Sequence, residues 1–150
     1  MVVVMQERAT EEQVDAVPFF ERYPNVSAVS TAYLLIDGGR TSSVERVTGT
    51  RPLAAGDAAM IARHVRAGQL MGMHATYLEA GSGAARAVGR PVVEAARMAT
   101  TGPLIVGGGI TTIGGAREAR EAGADYVVVG TLFERDPASH IEALANAARA

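Results

Sequence analysis

No cysteine occurs in the 150 residues, which removes disulfides, thiolate metal sites and thiol nucleophiles together. Lysine is missing too, since all 14 basic residues are arginine. Schiff-base chemistry needs a lysine amine, so aldolases of the lysine type are excluded. Charge of one sign is also lacking: the formal net charge is -2. With no basic footprint for a phosphodiester backbone, nucleic acid is not an expected partner. No apolar run approaches the length of a membrane span, and the initial "MVVVM" lacks the charged flank and the length of a signal peptide. The expectation is therefore a cytoplasmic protein with no transmembrane segment. Internal repeats and low-complexity segments are absent as well.

What is present is a hydrophobic content of 48%, in a chain the size of one ordinary domain with a real core, read as a single domain over 1–150. Thr10-Glu11-Glu12-Gln13 reads as a capping box, and Val14, Val17 and Phe20 or Glu21 follow at helical spacing, predicting a helix to about Arg22. "VSAVSTAYLLID" (26–37) reads as a buried strand stopped by Asp37-Gly38-Gly39, and residues 38–54 read as loop. Asp57 caps a predicted helix to about Gln69, with Met60, Ile61, His64, Val65 and Leu70 on one face. "GMHATYLEAGSG" (72–83) reads as strand and glycine-rich loop, Pro91 to Met98 as helix, "PLIVGGG" as strand, and Ala116 to Ala122 as helix ended by Gly123. "DYVVVGTLF" (125–133) is the fourth clear strand. Ser139-x-x-Glu142 opens a last helix, with Ile141, Leu144, Ala145 and Ala148 on one side.

Helices and strands thus alternate, and the strands are nearly continuous apolar runs, as parallel strands buried on both faces are. A doubly wound open sheet and a piece of a (β/α)8 barrel both fit. A full barrel needs about 200 to 250 residues and eight strands. The four clear strands, with "MVVVM" as a candidate fifth, predict an α/β fold of the TIM-barrel type, represented by its C-terminal half.

Three strand ends carry the chemistry: Tyr77-Leu78-Glu79-Ala80-Gly81-Ser82-Gly83, Gly107-Gly108-Gly109, and Gly130-Thr131. All lie at the C-terminal ends of successive strands, the face on which barrel active sites are built, and the last two fall where barrels commonly hold a phosphate. Glycine turns and helix N-termini offer backbone N–H donors that phosphate oxygens fill well. Each has a plainer reading. A glycine run can be only a tight turn. Glu79, a carboxylate ending an apolar strand, must be solvated or paired, either with an arginine or with a substrate hydroxyl. Tyr77 can simply pack with its hydroxyl at the rim. His64 and His140 read as structural, His74 lies at the wrong end of its strand, and Met71 and Met73 read as core. Arg40, Arg46 and Arg51, clustered in one loop, are the arginines placed to touch an anion.

"YLEAGSGA" (77–84), "PLIVGGGI" (103–110), "EAGADYVVVGTLFE" (121–134) and, less closely, "AYLLIDGG" (32–39) resemble the geranylgeranylglyceryl phosphate synthase family and its heptaprenylglyceryl phosphate relatives. GGGI alone is shared by many phosphate-binding barrels, whereas its combination with YLEAGSG and GT is specific. The likeness runs from about residue 12 to 136. It implies a (β/α)8 prenyltransferase that joins sn-glycerol 1-phosphate to a long prenyl diphosphate in ether-lipid synthesis. The resemblance further implies that Tyr77, Leu78, Glu79, Ala80, Gly81, Ser82 and Gly83 hold the glycerol phosphate, with Gly108, Gly109, Gly130 and Thr131 on the phosphate. Glu79, with Tyr77, would be catalytic, orienting the glycerol and accepting the proton of its attacking hydroxyl. Mg²⁺ is implied to neutralise the diphosphate, yet the family's metal ligands sit on strands that this chain does not contain. In "TTIGG" the family more often has a proline and an acidic residue, so Gly114 and Gly115 are expected to fray that helix start. A half-barrel would expose two strand edges and its apolar inner face, which favours a homo-oligomer. Two other readings remain. A sugar-phosphate isomerase or thiamine-phosphate type synthase would explain GGGI and GT but not YLEAGSG, and a non-catalytic half-barrel would bind phosphate or self-associate.

Overall fold

The computed structural model describes residues 17–130 together with 142, 143, 145 and 146, which are helical. The predicted capping boxes at Thr10 and Ser139, "MVVVM", His140 and the end of the fourth strand from Thr131 on lie outside the described residues. The order is α1 (Val17–Arg22), β1 (Thr31–Leu35), α2 (Ser43–Thr48), α3 (Ala58–Leu70), β2 (Ala75–Glu79), α4 (Arg90–Ala99), β3 (Leu104–Gly107), α5 (Ile113–Glu121) and β4 (Tyr126–Val128). The strands form one sheet in sequence order, β1-β2-β3-β4, parallel throughout. This is the α/β architecture expected of part of a barrel, with a helix between successive strands.

The register places Tyr33, Tyr77, Ile105 and Tyr126 in one row across the sheet. Because strand side chains alternate between faces, Leu34, Leu78, Val106 and Val127 form the neighbouring row on the opposite face. That opposite face holds the core, where Leu78, Ala80, Leu104 and Val106 pack with Ile61 and Val65 of α3 and with Val92, Val93 and Ala96 of α4. The chain packs α3 close by placing Gly68 over β1, where an added Cβ would lie 2.8 Å from the Ala32 Cβ.

Several elements differ from the sequence reading. The first strand starts at Thr31 rather than at 26, because its ladder begins only where β2 lies alongside, at Thr31 opposite Ala75. Residues 38–54 are not all loop, since Ser42 caps α2 with a complete capping box and Gly49, at φ +66°, ends it. The buried stripe of α3 is Ile61, Val65 and Gly68. Met60, His64 and Leu70 do not join it, and Leu70 is 76% exposed; the close approach at Gly68 leaves room for a narrow stripe only. Met71 is likewise exposed and Met73 half-buried, so neither is core. At α5 the expected fraying is not observed. Gly114 and Gly115 are helical because the Thr112 hydroxyl accepts from the Gly115 N–H at 3.0 Å, an N-cap that offsets their poor propensity.

Candidate functional site

The C-terminal ends of the strands surround a cavity of about 310 Å³ lined by Tyr33, Ser42, Ser43, Val44, Tyr77, Glu79, Gly81, Ser82, Gly83, Gly108, Gly109, Ile110, Val128 and Gly130. Most residues singled out in the sequence therefore come together: Tyr77, Glu79, Gly81, Ser82, Gly83, Gly108, Gly109 and Gly130. Leu78 and Ala80 do not line it, because the alternation of β2 turns their side chains into the helix-covered core. Thr131 lies outside the described residues.

Glu79 is the sole carboxylate in this lining among the described residues and is only 8% exposed. A buried carboxylate needs partners. Its Oε1 accepts from the Gly81 N–H at 2.7 Å, and the Tyr77 hydroxyl is hydrogen-bonded to it. Among the described residues no ion pair involves Glu79, so the arginine pairing weighed from the sequence is not made. Burial pushes the Tyr77 phenol well above the ordinary value of 10.0, and the hydrogen bond to Glu79 adds to the shift. Burial followed by the Glu79 charge also raises Tyr33. Both tyrosines therefore stay protonated near neutral pH and can act as donors. Their rings meet edge to face, with centroids 5.2 Å apart at 73°.

The glycine run is shaped first by these side chains. A Cβ on Gly107 would lie 2.5 Å from the Tyr77 hydroxyl oxygen and 2.9 Å from Glu79 Oε2. One on Gly108 would lie 2.5 Å from Glu79 Oε1 and 2.6 Å from the Gly81 nitrogen. The backbone of β3 thus passes directly behind the carboxylate, leaving Gly108 and Gly109 to wall the cavity beside it.

Sequence reasoning missed Tyr33, Ser42, Ser43, Val44, Ile110 and Val128 as lining residues. For Ser42 the signal was present, since Ser42-x-x-Glu45 is itself a capping box. For Tyr33 it lay in the alternation of β1. Arg46 spends its guanidinium on the Thr41 carbonyl and the Ser43 hydroxyl, and neither Arg40, Arg46 nor Arg51 lines the cavity. His74 sits just before β2, its Nδ1 2.8 Å from the Ser30 hydroxyl, at the opposite end of the strand from Glu79. His64 is exposed and bonds the Met60 carbonyl of its own helix at 2.9 Å. Among the described residues no three His, Cys, Asp or Glu side chains cluster to hold a metal ion, and no helix is long and apolar enough to cross a membrane.

Known proteins are similar to this chain in sequence and in fold. Over 126 residues the chain is 40% identical to a geranylgeranylglyceryl phosphate synthase of Flavobacterium johnsoniae, a match covering 84% of this chain and 51% of that one. It is 42% identical over 115 residues to the Thermococcus gammatolerans protein of the same name, covering 77% and 44%. The crystal structure of (S)-3-O-geranylgeranylglyceryl phosphate synthase from Thermoplasma acidophilum, in complex with its substrate sn-glycerol-1-phosphate, superposes with a TM-score of 0.78 at 34% identity. That superposition covers 91% of this chain and 54% of the other. The chain spans about half the length of the curated relatives it matches. The family resemblance read from the segments at 77–84, 103–110, 121–134 and 32–39 is thereby borne out. With the PcrB family profile matching residues 4–148, the chain belongs to the PcrB family.

Proposed function

We propose that this chain is a single domain, the C-terminal part of a prenyltransferase barrel, and that it carries the glycerol-phosphate site of an enzyme transferring a geranylgeranyl group from its diphosphate to sn-glycerol 1-phosphate in ether-lipid synthesis. The observation that carries this reading is Glu79, a buried carboxylate held by the Gly81 N–H and Tyr77 and facing a glycine-walled cavity at the strand ends.

The phosphate lies against Gly108, Gly109 and Gly130, with Thr131 beside them in sequence, where backbone N–H groups serve as donors without a cationic side chain. Tyr77, Ser82 and the turn from Gly81 to Gly83 enclose the glycerol, while Leu78 and Ala80 act from behind through the strand backbone. Glu79 accepts a hydrogen bond from the glycerol hydroxyl and then its proton. The oxygen forms a C–O bond to the allylic carbon as the bond from that carbon to the diphosphate breaks, and the electron pair leaves with the diphosphate. Held in place, the alcohol reacts as a positioned nucleophile. For the Mg²⁺ implied by the resemblance, the described residues offer no cluster of three His, Cys, Asp or Glu side chains.

A cytoplasmic location fits this chemistry. Self-association is supported by the face of the sheet opposite the core, where Tyr33 and Tyr126 are 45% and 62% exposed. The test is an amide titration of the isotopically labelled chain with sn-glycerol 1-phosphate and with the 3-phosphate. Shifts confined to the residues around Gly81, Gly83, Gly108, Gly109 and Gly130, stronger for the 1-phosphate, are expected. A well-dispersed spectrum that neither ligand perturbs would overturn the reading.

A further inference from the structure

Ser42, 5% exposed, serves two neighbours at once. Its hydroxyl accepts from the Glu45 N–H at 3.0 Å, and its own N–H donates to Glu45 Oε2 at 3.2 Å, so α2 starts there. Its Cβ faces the bare side of Gly81, so that a Cβ added to Gly81 would lie 2.8 Å from it. Gly81 stands at φ +99° and gives its N–H to Glu79 Oε1. The two loops are also stitched together nearby, because the Gly38 carbonyl accepts from the Ala85 and Arg86 N–H groups at 2.9 and 3.1 Å.

We propose that Ser42 is a positioning residue for Glu79: by closing one side of Gly81 it fixes the amide that aims the carboxylate into the cavity. This rests on the reading of Glu79 as the partner of the glycerol hydroxyl. A glycine in a left-handed turn has several backbone states open to it, and a carboxylate oxygen that takes a charge-assisted bond from such an amide is displaced when the donor moves. The Ser42 Cβ lies where a side chain on Gly81 would point, and so closes that side of the turn. Its effect should therefore fall on what Glu79 reads, the stereochemistry of the acceptor, and not on the phosphate cradle at Gly108 and Gly109.

The experiment titrates the labelled chain with inorganic phosphate, sn-glycerol 1-phosphate and the 3-phosphate, in wild type and three variants. Ser42→Gly removes the Cβ contact at little cost to the helix, since glycine is a tolerated N-cap, whereas Ser42→Ala keeps the contact and removes the cap. Asp57→Ala removes the cap of α3, where the carboxylate accepts from the Met60 N–H at 2.9 Å, on a helix packed against the opposite face of the sheet. In S42G the preference for the 1-phosphate should fall about threefold or more, the worth of a weakened bond to a charged group. The Gly81 amide resonance should shift and the affinity for inorganic phosphate should hold. S42A and D57A should keep the preference. An S42G protein that retains both preference and resonance overturns the inference, as does an equal loss for all three ligands or an S42A loss as large as that of S42G. A wild type that binds phosphate without distinguishing the two glycerol phosphates overturns the reading of Glu79 itself, and the inference with it.

Discussion

Alanine at Gly107 and alanine at Gly108 differ by one position along β3 and should have different consequences. At Gly107 the new Cβ meets the Tyr77 hydroxyl at 2.5 Å, Glu79 Oε2 at 2.9 Å and Tyr77 Cε2 at 3.0 Å. These are ends of side chains, which can swing away, so the cost is that of overpacking, about 1–3 kcal/mol. At Gly108 the Cβ meets Glu79 Oε1 at 2.5 Å and also the backbone nitrogens of Gly81 and Ala80 at 2.6 and 2.8 Å. Those nitrogens belong to a fixed turn. The residue also stands at φ +79°, which adds about 1–2 kcal/mol for any L side chain, giving about 2–5 kcal/mol in all. With a urea m-value of about 2 kcal/mol/M, the unfolding midpoint should fall by about 0.5–1.5 M for Gly107→Ala and about 1–2.5 M for Gly108→Ala. Calorimetric titration should separate them further. Gly107→Ala displaces the Tyr77–Glu79 pair and loses the preference for sn-glycerol 1-phosphate while still binding inorganic phosphate, whereas Gly108→Ala loses both ligands. A Gly108→Ala protein as stable as Gly107→Ala, or a Gly107→Ala protein with its preference intact, would refute the claim that the glycine run is shaped by the groups packed behind it.

Glu79→Gln should weaken binding of sn-glycerol 1-phosphate about tenfold or more, the scale of a hydrogen bond to a charged group, and leave inorganic phosphate bound at least as tightly; calorimetry with both ligands checks this. Because folding raises the phenols of Tyr33 and Tyr77 above 10.0, the folded state holds protons that the unfolded state gives up. Stability should thus be fully present below pH 10 and decline as the pH climbs beyond it, and melts of wild type and Tyr77→Phe over that range should show the shallower decline in the variant. Thr112→Ala removes the cap on the Gly115 N–H and should cost about 1 kcal/mol, read as a lower urea midpoint with the two glycines of the first turn no longer held.

The fold was legible in the sequence where burial is two-sided. The stretches read as strand at 72–83 and 103–109 contain β2 and β3, the cap at Asp57 and the helical spacing after it marked α3, and the helix read from Pro91 to Met98 is the body of α4. Legibility failed where a single contact decides the outcome. Nothing in the spacing of Met60, His64 and Leu70 says that Gly68 will bring α3 against Ala32 and shrink the buried stripe to three residues. Residues 38–54 are rich in the residue types that favour loops, and that composition outweighed a capping box that the same rules could have found at Ser42 and Glu45.

The site shows the same division. Tyr77, Glu79 and the glycines were legible because motif and strand end coincide, whereas Tyr33 and Ser42 reach the cavity from neighbouring elements, where strand alternation and a capping box speak of local structure and not of a site. The glycine run shows why the distinction matters chemically. From the sequence, three glycines after a strand explain how a phosphate could approach the backbone. The packing adds a reason at Gly107 and Gly108, whose missing side chains leave the space that Tyr77 and Glu79 occupy. A carboxylate buried this deeply keeps its aim only if the chain behind it is flat and the turn beside it is held. The β3 glycines supply the first condition, and the contact of Ser42 with Gly81 supplies the second.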